Sequence, residues 1–394
     1  MIPLKKILFS LFCFFSIILS VNALNPPEMY SNNYILYDLT DNSIIYKKNE
    51  NDKISIASLT KIMTTITAIE KITNLNDSVI ITNEMLSNIK FDASLAGLKV
   101  GDKLTYKDLL YASILPSGAD ATQALAYSLS GSIFEFVKDM NSLAKKIGMN
   151  DSNFVNVTGL DIDNHYSTIN DLLKMLKYSL ENETFKTIYE TKTYKLSNGL
   201  EVNATIKKYN NLMKLDISRI LGSKTGYTNN AGLCISSIFK SNNHEFIFIS
   251  ANAPFIYGNY YNLRDNLNII DFMDKNYQNE VIAKKDEIYK TISIKYSNVS
   301  SYDIHLSKDV LYYLPNDFNK DNIKIDYIGK NETTFLDNLK KIGIIKVSYN
   351  GNTIYEENVI LKDIKINFYL LTCINLLIFF IILIIFKKLF IKKK

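Results

Sequence analysis

Three short stretches carry side chains that a single reaction needs together. Ser58-Leu59-Thr60-Lys61 places a hydroxyl and an amine three residues apart. On a helix such positions share a face one turn apart, so the Lys61 amine can reach the Ser58 hydroxyl. A neutral amine there takes the hydroxyl proton and makes the serine a nucleophile. Burial and a second cation nearby would both lower the lysine pKa toward that neutral form. A serine at a helix start also lies among backbone N–H groups and the positive dipole end, where a developing oxyanion is stabilised. Ser117-Gly118-Ala119 follows Pro116 and breaks a helical region, so its hydroxyl can point into a cleft and relay a proton to a leaving amine. Lys224-Thr225-Gly226 offers a cation and a hydroxyl to a terminal carboxylate, and Gly226 admits a close substrate backbone. Taken singly, each has a bland counterpart: a helix N-cap with an exposed lysine, an ordinary turn, and a strand edge with a solvated lysine.

Taken together and in this order, the three stretches correspond to the S-x-x-K, S-D-N and K-T-G set of serine β-lactamases and penicillin-binding proteins. The chain resembles that superfamily, and more narrowly the low-molecular-weight penicillin-binding proteins, serine-type D-alanyl-D-alanine carboxypeptidases of the peptidase S11 kind. Longer strings carry the likeness: Ala57-Ser58-Leu59-Thr60-Lys61-Ile62-Met63-Thr64, Leu109-Leu110-Tyr111 and Leu115-Pro116-Ser117-Gly118. Phe154-Val155-Asn156, Thr158-Gly159-Leu160, His165-Tyr166-Ser167-Thr168 and Lys224-Thr225-Gly226-Tyr227-Thr228 follow. The resemblance covers about residues 28–275 and extends more loosely beyond.

The resemblance implies Ser58 as the acylated nucleophile, Lys61 as its base and Ser117 as the proton relay. It implies Lys224, Thr225, Gly226 and Tyr227 as the substrate-binding strand, with the backbone N–H groups of Ser58 and Tyr227 as the oxyanion hole. The substrate would be the D-alanyl-D-alanine end of peptidoglycan pentapeptide stems, in cell-wall biosynthesis. β-Lactams would be covalent inhibitors, and no cofactor would be needed. One departure stands out: Ala119 occupies the place where the second motif normally has asparagine. That asparagine usually holds the substrate amide and helps order the lysine, so its loss leaves two consequences open, slower acylation or altered β-lactam sensitivity. A weakly catalytic penicillin-binding or wall-binding protein therefore stays open as an alternative. A β-lactamase ranks lower, because no carboxylate for deacylating lactams can be placed. His165 lies in a family string, and a structural hydrogen-bonding role suits it better than general-base chemistry.

Elements must bring these stretches together. Residues 34–46 read as two strands around Thr40-Asp41-Asn42-Ser43. Leu59, Ile62, Met63, Ile66 and Ile69 give a helix over 58–70. Thr105 with Asp108 resembles a capping box opening a helix to about Leu115. Further helices are expected from Asp120 to about Leu129 and from Phe134 to Ile147. Residues 233–239 and 245–250 read as an antiparallel hairpin. The expected fold class is α+β: an antiparallel sheet flanked by helices, with a helical subdomain, in the β-lactamase/transpeptidase manner. Strand-like runs at 291–296, 323–328, 342–349 and 353–361, with the turn signal Asn350-Gly351, predict a small all-β domain.

The ends serve targeting. Lys5 and Lys6, the apolar run Ile7 to Leu19 and Val21-Asn22-Ala23 describe a secretory signal peptide cut after Ala23, with an uncleaved anchor as the alternative. Residues 366–386 hold no charge, about 31 Å of helix, which matches a bilayer core. Five lysines follow among residues 387–394, which predicts a cytoplasmic tail. The domain plan is thus 1–23 signal, 24–276 catalytic, 277–363 β-rich, 366–386 membrane span and 387–394 tail. Formal charge is +5, but seven of the 45 basic residues lie at the two acid-free ends. The exported body is slightly acidic, which gives no support to nucleic-acid binding. Cys234 alone falls in the body, and no intramolecular disulfide framework is expected there. Three scattered histidines lack metal-ligand spacing, so no metal site is expected.

Overall fold

The β-rich runs around Thr40-Asp41-Asn42-Ser43 pair as a hairpin, Asn33–Asp38 with Ser43–Lys48, in a computed structural model that describes residues 24–391. The expected signal peptide and the last three lysines lie outside the described residues. Asn42 takes a φ of 52° in the turn, a left-handed conformation that asparagine tolerates. The first strand is buried along its whole length because His244–Ala253 pairs along its other edge. Beyond His244–Ala253 come Gly232–Ser241 and then Ile220–Thr228, completing a five-stranded antiparallel sheet. Strands from both ends of the domain thus meet in one layer. Asn242 and Asn243 both adopt positive φ, 47° and 69°, and close a two-residue turn. That shorter turn makes both strands longer than their apolar cores alone predicted.

Lys224, Thr225 and Gly226 lie within the outermost strand, Ile220–Thr228, paired on one side only. An edge strand leaves one row of backbone groups open to a ligand. The central helix, Thr60–Lys71, is buried from Thr60 to Ala68. The Thr105–Asp108 capping box forms in both directions and opens Tyr106–Ile114. Ala119–Ser130 ends on Gly131 at φ 74°, a left-handed C-terminal stop, and Ser132 caps Ile133–Lys146. Helices Ile169–Leu180, Glu183–Glu190, Thr205–Met213 and Tyr261–Asn276 arise where no element was predicted.

These elements belong to one compact unit, Pro26–Asn276; the chain from Tyr277 onward falls in a second. In the latter, Ile323–Gly329, Lys341–Tyr349 and Asn352–Ile360 form an antiparallel sheet whose last turn is Asn350-Gly351. Ile292, Ile294, Ile304, Ile345 and Val347 are among its core residues. The apolar C-terminal helix is Phe368–Ile391, two residues later in onset than the predicted span. Ile366 is instead bridged to Ser297, and Asn367 accepts from Tyr369 N–H as a cap. Phe368–Lys387 is long and apolar enough to cross a membrane, and none of it is buried in the structure.

Candidate active site

Ser58 occupies a single 3-10 turn, Ala57–Leu59, placed just before the central helix rather than within its first turn. The three-residue spacing still works. Lys61 Nζ lies 3.1 Å from Ser58 Oγ and donates to the Thr158 carbonyl at 2.7 Å. Lys61 is only 2% exposed. Burial brings its pKa down from 10.5 to about 7, against the pull of the Asp120 carboxylate. At neutral pH a large share of Lys61 is therefore an uncharged base.

Lys224 reaches the same site from the edge strand. It is fully buried and donates to Ser117 Oγ at 2.9 Å and to the Thr225 carbonyl at 2.7 Å. Burial, and then the charge of Lys61, hold its pKa well below the ordinary lysine value. Ser117 itself is buried with φ at 63°, a costly conformation for a non-glycine residue that persists where packing over-determines it. The Thr225 hydroxyl lies 2.6 Å from Thr205 Oγ1, and Thr205 N–H donates to Leu115 O at 3.0 Å. Gly226 has a steric purpose. A Cβ there would lie 2.8 Å from Ser58 N and 2.9 Å from Ala57 Cβ, so only glycine lets the strand run against the nucleophile's turn. Tyr227, the next residue, is 41% exposed with its ring against Phe255. The structure thus brings Ser58, Lys61, Ser117, Lys224, Thr225 and Gly226 into one site, with Tyr227 at its surface.

The family model for Peptidase S11, D-alanyl-D-alanine carboxypeptidase, matches residues 20–254. This chain belongs to that family. The S11 peptidase is 26% identical to D-alanyl-D-alanine carboxypeptidase DacF of Bacillus subtilis over 339 residues, 84% of each chain. It is 32% identical over 219 residues to D-alanyl-D-alanine carboxypeptidase DacD of Escherichia coli, covering 52% of this chain and 54% of that one. The fold is that of penicillin binding protein 5 from Haemophilus influenzae, with a TM-score of 0.63 over 86% of this chain and 99% of that chain at 24% identity. As a member of S11, this chain is a serine peptidase, a hydrolase of the carboxypeptidase class.

In this S11 peptidase, Ala119 is buried at the start of Ala119–Ser130 and lines a cavity of about 160 Å³ with Gln123, Asn156, Thr158 and Asp161. Asp120 faces elsewhere. Its carboxylate accepts from the N–H groups of Ala96, Gly97 and Leu98 at 2.8–3.0 Å and pins that segment to the helix start.

Sequence reasoning quoted Asn156 and Thr158 only as part of the resemblance, and the structure gives them work to do. Asn156 Oδ1 accepts from Thr158 N–H at 3.0 Å and Gly159 N–H at 2.6 Å, while its Nδ2 donates to Leu160 O at 2.9 Å. That turn presents the Thr158 carbonyl to Lys61. The signal was present as an asparagine three residues before a glycine, a turn-forming pattern. Thr205 had no such signal. Cys234 is buried, and burial pushes its thiol up to about 12, so it is an inert core residue. Among the described residues, Asp38, Asp41 and His244 bring ligand-type atoms together. Asp38 is engaged there by Thr40 N–H, Asp41 N–H and the His244 ring.

Proposed function

We propose that this chain removes the terminal D-alanine from peptidoglycan pentapeptide stems through an acyl-enzyme on Ser58. The observation that carries the reading is the Lys61 amine, 3.1 Å from Ser58 Oγ and depressed to about pKa 7. Lys61 takes the Ser58 proton as Oγ attacks the carbonyl carbon of the penultimate D-alanine. The resulting oxyanion is held by the N–H groups of Ser58 and Tyr227. As the C–N bond breaks, the Ser117 hydroxyl gives its proton to the leaving amine and is restored by the proton that Lys61 took from Ser58. Lys224 stays charged and holds Ser117 Oγ by donating to it. Lys224 and Thr225 grip the departing carboxylate. An incoming carboxylate favours the charged form of Lys224, which offsets the depression caused by burial. Neutral Lys61 then takes a proton from the water that attacks the ester carbon, and returns it to Ser58 Oγ as the acyl C–O bond breaks. β-Lactams acylate the same oxygen.

Residues 24–276 are the catalytic domain in this reading, 277–363 a spacer, and residues 1–23 a removed signal. The Phe368–Lys387 stretch anchors the enzyme, with the body outside the cytoplasmic membrane and the lysine tail inside. Labelling with a fluorescent penicillin, followed by D-alanine release from a pentapeptide, tests the proposal. Labelling at Ser58 with release supports the carboxypeptidase. Labelling without release favours the weakly catalytic penicillin-binding protein, the reading that Ala119 motivates.

A further inference from the structure

Ala57, one residue before the nucleophile, holds a left-handed backbone at φ 46°. Its carbonyl oxygen accepts from Thr60 N–H and from the Thr60 hydroxyl, the latter at 2.9 Å. Thr60 Oγ1 lies 2.8 Å from His165 Nε2, and His165 Nδ1 accepts from Val155 N–H at 3.1 Å. The Val155 donor settles the tautomer. With Nδ1 accepting, Nε2 carries the ring proton and donates to Thr60 Oγ1, which leaves the Thr60 proton for Ala57 O. The bonds run in one direction, from Val155 N–H to Ala57 O.

The Ala57 carbonyl and the Ser58 N–H belong to one planar trans peptide and point in opposite directions. Tying down the oxygen therefore aims the N–H. Ser58 N is also the atom that a Cβ at Gly226 would approach, so this peptide lies against the substrate strand. Hydrogen bonds in a chain polarise one another, which strengthens the last donor. We propose that His165 is a positioning residue: through Thr60 and the Ala57 carbonyl it aims the Ser58 backbone N–H at the oxyanion. This rests on the reading of Ser58 as the acylated nucleophile. The chain requires a neutral imidazole, because a protonated ring cannot accept from Val155 N–H. Burial supplies it, pushing His165 down to about 4 against the pull of Asp161. Lys53, Asp161 and Asp163 are the charged residues lining the cavity that His165 borders.

The test compares acylation by a fluorescent penicillin in the full chain and four variants. Thr60→Val and His165→Asn break the chain, since asparagine matches only the Nδ1 position. Thr60→Ser keeps the hydroxyl, and His165→Gln places an amide N–H near Nε2. Removing an oxyanion donor outright costs roughly a hundredfold or more, so misaiming one should slow acylation about 10- to 100-fold in the breaking pair. The conserving pair should stay within about threefold of the parent, by analogy with that scale. Nitrogen-15 spectra should show His165 as the Nε2–H tautomer, without titration between about pH 5 and 8. Equal rates in all four variants, slowing that tracks lost melting temperature alone, or a His165 that titrates in that range overturns the proposal. A parent chain that is not labelled at Ser58 instead overturns the nucleophile assignment on which the proposal rests.

Discussion

Lys224 Nζ lies 2.9 Å from Ser117 Oγ although 107 positions separate the two residues in the chain. One comes from an edge strand and the other from the break between two helices. The contact joins the sheet to the helical part of the domain at the point where the proposed mechanism protonates the leaving group. Ser117→Ala should lower penicillin acylation and D-alanine release together by roughly 10²- to 10³-fold, the scale of a lost general acid. Stopped-flow labelling checks this; a rate within about twofold of the parent would remove Ser117 from the mechanism.

The low pKa of Lys61 makes a two-part pH prediction. Acylation should rise through about pH 7, as the amine loses its proton. For stability, the unfolded chain keeps a Lys61 proton up to about 10.5 that the folded chain has released above about 7. The unfolded state therefore binds more protons in that window, and the Lys61 contribution to stability rises with pH by about 1.4 kcal/mol per unit there. Below about 7 the contribution is flat and unfavourable. Urea unfolding of the parent and of Lys61→Met between about pH 7 and 10 should show a shallower slope in the variant.

Ala119→Asn returns an amide to a cavity already open beside Asn156 and Thr158. The added side chain should raise the acylation rate about 3- to 30-fold, within the range of a hydrogen bond to a reacting amide. The melting temperature should change by no more than about 3 °C, because no neighbour has to move far. A slower enzyme would mean that this family member has rebuilt its site around alanine.

Gly159 holds φ at 85°, and a Cβ there would collide with the Ala57 carbonyl oxygen. Gly159→Ala should cost roughly 3 kcal/mol of stability, since strain and a backbone clash act together. It should also slow labelling, because the displaced oxygen belongs to the peptide that carries Ser58 N–H. Denaturant melts and labelling on one preparation measure both.

Membrane attachment is testable by truncation. Asn298 N–H donates to Lys365 O and Asn367 N–H to Tyr296 O, so a stop codon should follow Asn367 rather than precede it. The truncated chain should leave the membrane fraction and retain penicillin labelling. Membrane retention of the truncated chain would point to a second attachment.

Much of the catalytic apparatus was legible because its partners are close in sequence or locally encoded. Ser58 and Lys61 are three residues apart, the Thr105–Asp108 box caps its own helix, and Asn350-Gly351 turns its own hairpin. Of the four unpredicted helices, Ile169–Leu180 and Glu183–Glu190 do carry local start signals, the side chains of Thr168 and Asn182 each capping its own first turn. Helix onset at Thr60 instead of Ser58 follows from Ala57, whose left-handed backbone is imposed by the Thr60 bond and the packing of Gly159.

The amino-acid order alone determined the reactive groups, their spacing within each motif and the apolar character of both ends, since these depend only on neighbours along the chain. Tertiary structure decided that Lys61 is buried enough for its pKa to fall to about 7, that the Thr158 carbonyl steadies it, and that Lys224 and Thr205 reach Ser117 and Thr225. Desolvation and long-range contact arise only when distant segments pack, and so they are written in no single stretch of residues.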